Sequence, residues 1–294
     1  MVHLLACVSS GVDSASAAAS PSSVVLSEVT VPGLGKVDLF IGEGRFATVG
    51  EVYDPGDVEV RLLEGRWVVP AFIDSHVHLA FLPAGQALTE GGVAAAVDLA
   101  APLSSLDSEQ PLRVLWSGPM ITAVGGYPTR SWGTNGYGLE VSKPEEARAA
   151  VRQLHTAGAA LIKLPVTGEP QLDDAALAAA VEEAHDLNLK VARQNLAGMR
   201  KAGATVLYGT DLGNTSTAAI DPGEITALLD AGLDGEAILE AGTSAPAAYW
   251  GFSDLGRIEE GKAASFLVLD RDPLEDPLAL SEPVEVWMDG VRVK

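Results

Sequence analysis

Two histidines separated by one residue, His76 and His78, close the run Val68-Val69-Pro70-Ala71-Phe72-Ile73-Asp74-Ser75-His76-Val77-His78-Leu79. The apolar lead-in reads as a buried strand. Side chains at i and i+2 share one face of a strand, so both imidazoles point the same way at its C-terminal end. Parallel α/β architectures build their sites at that end. Two neutral imidazoles side by side suit Zn²⁺ or a similar ion, and a pair of structural histidines is the plainer alternative.

Other chemical signals are thin. Residues 256–263 nearly spell a phosphate loop, but Ala263 stands where a hydroxyl is needed and no helix follows. Gly42-Glu43-Gly44-Arg45-Phe46-Ala47 joins two short strands, which makes it a hairpin turn rather than a dinucleotide loop. There is no G-x-S-x-G, and Cys7 is the one cysteine, so no thiol nucleophile is credible.

The elements that must position the histidines alternate. Apolar β-type runs lie at 67–73, 93–99, 112–116, 159–164, 189–192 and 204–208. Helical stretches lie at 144–155, with its proline in the first turn and Gly158 beyond the end, and at 173–187, which opens on two acids. A further helix is read over 195–201. Strand–helix alternation predicts a parallel sheet with crossover helices, open or closed into a barrel.

The ends have another texture. Short alternating segments at 27–31, 36–41 and 45–49 are matched by 265–269 and 284–293, the last turning at Asp289-Gly290. The expected organisation is a tether-like stretch over 1–23, a small β-sandwich from 24–66 and 256–294, and a barrel over 67–255. The fold class is thus α/β, a (β/α) TIM-type barrel with a sandwich formed by both termini. The barrel reads as incomplete: six strands are found, and residues 71–255 fall short of the roughly 250 that eight strands usually take. Two absent strands correspond to about 60 residues at some 30 per βαβ step.

The phrase Pro70-Ala71-Phe72-Ile73-Asp74-Ser75-His76-Val77-His78 resembles the opening metal motif of the amidohydrolase superfamily, with Ala71 in place of the usual glycine. Leu255-Gly256-Arg257-Ile258-Glu259-Glu260-Gly261-Lys262-Ala263-Ala264 resembles the turn before that family's returning strands. The chain looks closest to the imidazolonepropionase-like and prolidase-like group. The resemblance implies that Lys163, in Leu161-Ile162-Lys163-Leu164, is a metal ligand as a carbamate, the alternative being a solvated lysine. It implies that Asp211, in Tyr208-Gly209-Thr210-Asp211-Leu212-Gly213-Asn214, binds metal and takes a proton from the attacking water; otherwise it caps a loop. The family's two further histidines have no counterpart. His155 and His185 fall on helices and His3 in the tail, as though the segment from the end of strand five through strand seven had been excised near Arg193.

The implied cofactor is a divalent metal, zinc above others, as one or two ions held by His76, His78, Lys163 and Asp211. Tyr127 and Arg130, in the loop after the third strand, are candidates for contact with a small-molecule substrate. The implied activity is hydrolysis of an amide-type C–N bond in a small cyclic amide or a dipeptide by metal-activated water. The alternative is a catalytically impaired relative with weak or no metal binding. Open strand edges invite a homo-oligomer.

Composition narrows the partners. Forty acidic against 19 basic residues give a formal charge of -21, which argues against nucleic acid and anionic membranes. No apolar run approaches the roughly 20 residues that span a bilayer. Leu4-Leu5-Ala6-Cys7 resembles a bacterial lipobox, but the six residues that precede Cys7 are too few for a signal peptide. The expectation is a cytoplasmic protein, with anchoring through Cys7 as the alternative if the true start lies upstream.

Overall fold

The computed structural model describes residues 23–193 and 205–294. Cys7, nearly all of the tether-like stretch and the helix read over 195–201 lie outside the described residues.

Residues 24–70 supply five strands: β1 (Val24–Val31), β2 (Gly35–Gly42), β3 (Arg45–Gly50), β4 (Glu59–Leu62) and β5 (Trp67–Pro70). β1 to β3 pair antiparallel in order, while β4 and β5 lie parallel to successive parts of β1. Glu43 and Gly44 both take positive φ, which fits the hairpin turn read there.

The run 67–73, read as one strand, divides at Ala71. β5 stays in the first sheet, and β6 (Phe72–Val77) opens a parallel set. The Ala71 N–H donates to Ser265 O (3.0 Å) and the Phe72 N–H to Gly92 O (2.9 Å). The pairing partner changes between consecutive residues, and hydrophobic periodicity carries no mark of such a change.

Onward come α1 (Gly85–Glu90), β7 (Val93–Asp98), β8 (Arg113–Trp116), β9 (Met120–Ala123), β10 (Gly138–Val141), α2 (Pro144–Thr156), β11 (Leu161–Leu164), α3 (Asp174–Asp186) and β12 (Lys190–Arg193). β6, β7 and β8 are parallel neighbours, and so are β11 and β12. The Ala160 N–H donates to Trp116 O (2.9 Å) and joins the two groups. On the other flank of β6, Tyr208 O accepts from the Ser75 N–H (2.9 Å) and Leu212 O from the His78 N–H (2.8 Å). The strand read over 204–208 is therefore only partly realised. Residue 204 lies outside the description, and 205–208 hold no regular ladder; beyond them Asp211, at φ 55°, breaks the pleat.

The helices follow from their sequences. α2 has Pro144 in its first turn and Glu145 and Glu146 at the positive end of its dipole. It buries Ala147, Ala150, Val151 and Leu154, spaced as one helical face. α3 starts at an Asp173 cap that accepts from the Ala176 N–H (2.7 Å) and buries Ala176, Ala179, Ala180 and Ala184. The two faces share one apolar cluster, and Arg148–Glu182 and Arg152–Glu183 pairs edge it.

After residue 212 come α4 (Pro222–Asp230), α5 (Gly235–Gly242), α6 (Ser244–Trp250), β13 (Phe266–Leu269), β14 (Glu285–Met288) and β15 (Val291–Arg292). β13 pairs antiparallel with β5, so strands from both ends meet in one eight-stranded, branched sheet. Asp289 and Gly290 take positive φ in the β14–β15 turn, as read. In that sheet's own core Phe266 stacks on Trp287 and packs at a tilt against Phe46. A second core, with Phe72, Tyr208, Ile225 and Ile238, lies under the strands that carry the histidines. No helix among the described residues is long and apolar enough to cross a membrane.

Candidate metal centre

The end of β6 presents His76, and His78 one residue beyond it, toward Asp211, as the i, i+2 rule requires. Asp211 Oδ1 lies 3.3 Å from His76 Nε2 and 3.1 Å from His78 Nε2. One ligand atom from each of the three side chains falls within 4.8 Å of the others. Although close to both Nε2 atoms, Asp211 Oδ1 is buried without an aligned hydrogen-bond partner, and so, separately, is His78 Nδ1. Three donors drawn this close to one shared point fit a divalent cation. Two imidazole nitrogens and a carboxylate oxygen are a zinc-type set.

Two glycines make this approach feasible. A Cβ on Gly209 would lie 3.1 Å from His76 Cβ, and one on Gly213 only 2.9 Å from His78 Cβ. Asp211 is held twice more: its N–H donates to the backbone O of His76 (2.8 Å), and Asn214 Nδ2 donates to its Oδ2 (3.0 Å).

The electrostatics keep the donors in ligating form. Burial, with the Lys163 cation and His78, pushes His76 down to about 3 against the pull of Asp211, leaving a neutral imidazole. Burial opposes ionisation of Asp211, but the two imidazoles and Asn214 outweigh it and hold the carboxyl below its usual range. Lys163, on β11, is 2% exposed, and burial lowers it to about 8 despite Asp211. Its amine thus shares the electrostatic neighbourhood of the histidine–aspartate group.

Behind the ligands, Asp74 is fully buried and burial raises it to about 7, against hydrogen bonds from Thr210 and the His76 N–H. In front of them, Trp132 lies 5.2 Å from the His78 ring and contacts Phe81, Tyr127 and Tyr137. Tyr127 reaches the site through Trp132, whose Nε1 donates to its hydroxyl (2.8 Å). Arg130 is exposed and its guanidinium lies over Gly125, where an added Cβ would collide with it. Sequence reasoning missed Trp132, Phe81, Tyr137 and Asn214. Trp132 stands five residues after Tyr127 in the same glycine-rich loop, which is the one signal that pointed toward it. A cavity of about 200 Å³ bordered by Leu112, Arg113 and Asp289 is lined by none of the three converging residues.

Residues 188–293 match the family described as the amidohydrolase family. An imidazolonepropionase of Micrococcus luteus is 32% identical over 121 residues, 37% of this chain and 29% of that protein. The match therefore spans less than a third of that curated relative's length. A Xaa-Pro dipeptidase with bound methionine aligns at TM-score 0.78 and 18% identity, over 92% of this chain and 99% of the other. A putative prolidase from Bifidobacterium longum aligns at TM-score 0.78 and 22% identity, over 93% and 95%. An A. niger ochratoxinase aligns at TM-score 0.72 and 17% identity, over 93% and 96%. These likenesses are of fold, a TIM-type barrel with an additional domain.

Proposed function

We propose that this chain, a member of the amidohydrolase superfamily, hydrolyses an amide-type C–N bond of a small cyclic amide or a dipeptide. The observation that carries the reading is the convergence of His76, His78 and Asp211 at a strand end, with Asp211 Oδ1 buried and unpartnered. A divalent ion held there, zinc by its donor set, would polarise the carbonyl and acidify water. Asp211 takes the proton of the attacking water and returns it to the leaving nitrogen. Its left-handed backbone and the Asn214 amide fix the carboxylate for that exchange.

Lys163 is a further ligand in this proposal, as a carbamate. Burial favours its uncharged amine, the form that adds carbon dioxide, and the resulting anionic oxygens suit a cation. Tyr127 and Trp132 wall the substrate side and exclude water from the His78 ring, while Arg130 meets substrate after leaving Gly125. A homo-oligomer belongs to the same proposal, since open strand edges invite pairing with a second copy.

One observation favours a second reading, a catalytically impaired relative. Among the described residues, no other group of metal-type side chains occurs, and His155 and His185 are exposed on α2 and α3. The test is a hydrolysis screen of dipeptides and cyclic amides with the zinc-supplemented protein. Turnover abolished by His78→Ala supports the metal mechanism, and turnover that survives this change overturns it.

A further inference from the structure

We propose that Asp74 is a positioning residue for the metal centre, tying the strand that carries His76 and His78 to the segment that carries Asp211. The inference rests on the metal reading above. Asp74 Oδ1 accepts from the His76 N–H (3.0 Å) and the Thr210 N–H (3.1 Å). Its Oδ2 accepts from Thr210 Oγ1 (2.6 Å), and that hydroxyl in turn accepts from the Leu212 N–H (3.2 Å). A single carboxylate thus grips the residue before Asp211 and, through the threonine, the residue after it.

The place of this grip separates it from ordinary core packing. Backbone bonds join β6 and His78 to the neighbouring segment at Tyr208, Asp211 and Leu212, but at Asp211 that segment breaks from the extended conformation. The Asp74–Thr210 pair spans that break. Both side chains are buried, at 0% and 4% exposure, and a carboxylate withdrawn from water is costly unless its donors are all in place. Asp74 is not one of the three converging ligands; it acts on them only through the backbone. Replacing it with alanine leaves two N–H groups and a hydroxyl without their acceptor, and the segment can relax away from the histidines.

The experiment measures zinc affinity by chelator competition, and cobalt(II) absorption, for full-length wild type, Asp74→Ala, Asp74→Asn and Thr210→Val. Asp74→Ala is expected to weaken zinc binding about 10- to 100-fold, the usual cost of losing a group that orients ligands. Thr210→Val should weaken it in the same direction, and both should shift the cobalt bands, which report ligand geometry. Asp74→Asn should stay near wild type, because an amide oxygen still accepts both N–H groups and the Thr210 hydroxyl can rotate to accept from the amide. If Asp74→Ala does not fold, Thr210→Val against Asp74→Asn decides the matter. A wild type that binds zinc, with variants of unchanged affinity and cobalt spectrum, overturns the positioning role even if they melt earlier. A wild type that takes up no zinc overturns the metal reading itself, and this role with it.

Discussion

Gly213 passes so close to His78 that a Cβ on it would lie 2.9 Å from the histidine's own Cβ. Its φ of 120° is also one that L side chains rarely adopt. Gly213→Ala should therefore push Asp211 away from His78 and weaken zinc binding by about tenfold or more. Gly209→Ala, with 3.1 Å to His76 Cβ and no left-handed φ, should have the smaller effect. Zinc titration of the two variants checks the order; equal affinities would remove the glycines from the account.

A similar close approach supports the barrel wall. Gly242, the last residue of α5, faces Phe72 so closely that a Cβ would overlap the ring. Phe72 is fully buried, so neither partner can withdraw without opening the core. Gly242→Ala is expected to destabilise by about 1–3 kcal/mol through overpacking, read from urea denaturation. An unchanged midpoint and slope would show that the wall yields freely.

The sheet built from both ends carries its own pH signature. Burial disfavours the Glu285 carboxylate, but the hydrogen bonds from Arg61 and the Trp287 indole and the charges of Arg61 and Arg292 prevail. Its folded pKa lies below the ordinary glutamate value of about 4.3. The stabilisation is therefore complete above that value and lost as pH falls through the depressed folded pKa. Wild type should exceed Glu285→Gln in stability at neutral pH, and the gap should close under acid. A gap constant down to pH values at which both states are protonated would contradict the pairing.

Trp132 packs against the ring of His78, so ion binding should alter its environment. Zinc addition is expected to change tryptophan fluorescence in the wild type but much less in Trp132→Phe. A full response in that variant would place the signal on another of the five tryptophans.

The sequence already contained much of this site. His76 and His78 share a face because the strand period is two, and residue spacing reports that directly. Lys163 and Asp211 became legible only through resemblance, since nothing local tells a strand-end lysine or a loop aspartate what it faces. Asp74 stood within the motif, yet its partner Thr210 is 136 residues away, and periodicity cannot reveal a long-range hydrogen bond. Among the elements, α2, α3 and the Asp289-Gly290 turn followed from local signals. The break at Ala71 did not, because both of its halves are equally apolar. β9, β10 and α1 are short, and short elements owe more to packing than to propensity.

The central claim is that three side chains brought together from β6 and residue 211 hold a metal ion. Elemental analysis of protein purified without chelator, beside a His76→Ala/His78→Ala control, tests it most directly. The account predicts about one equivalent of zinc or more per chain, as a site with three protein ligands commonly holds, and its loss in the control. Metal absent from both samples, or present equally in both, would contradict it.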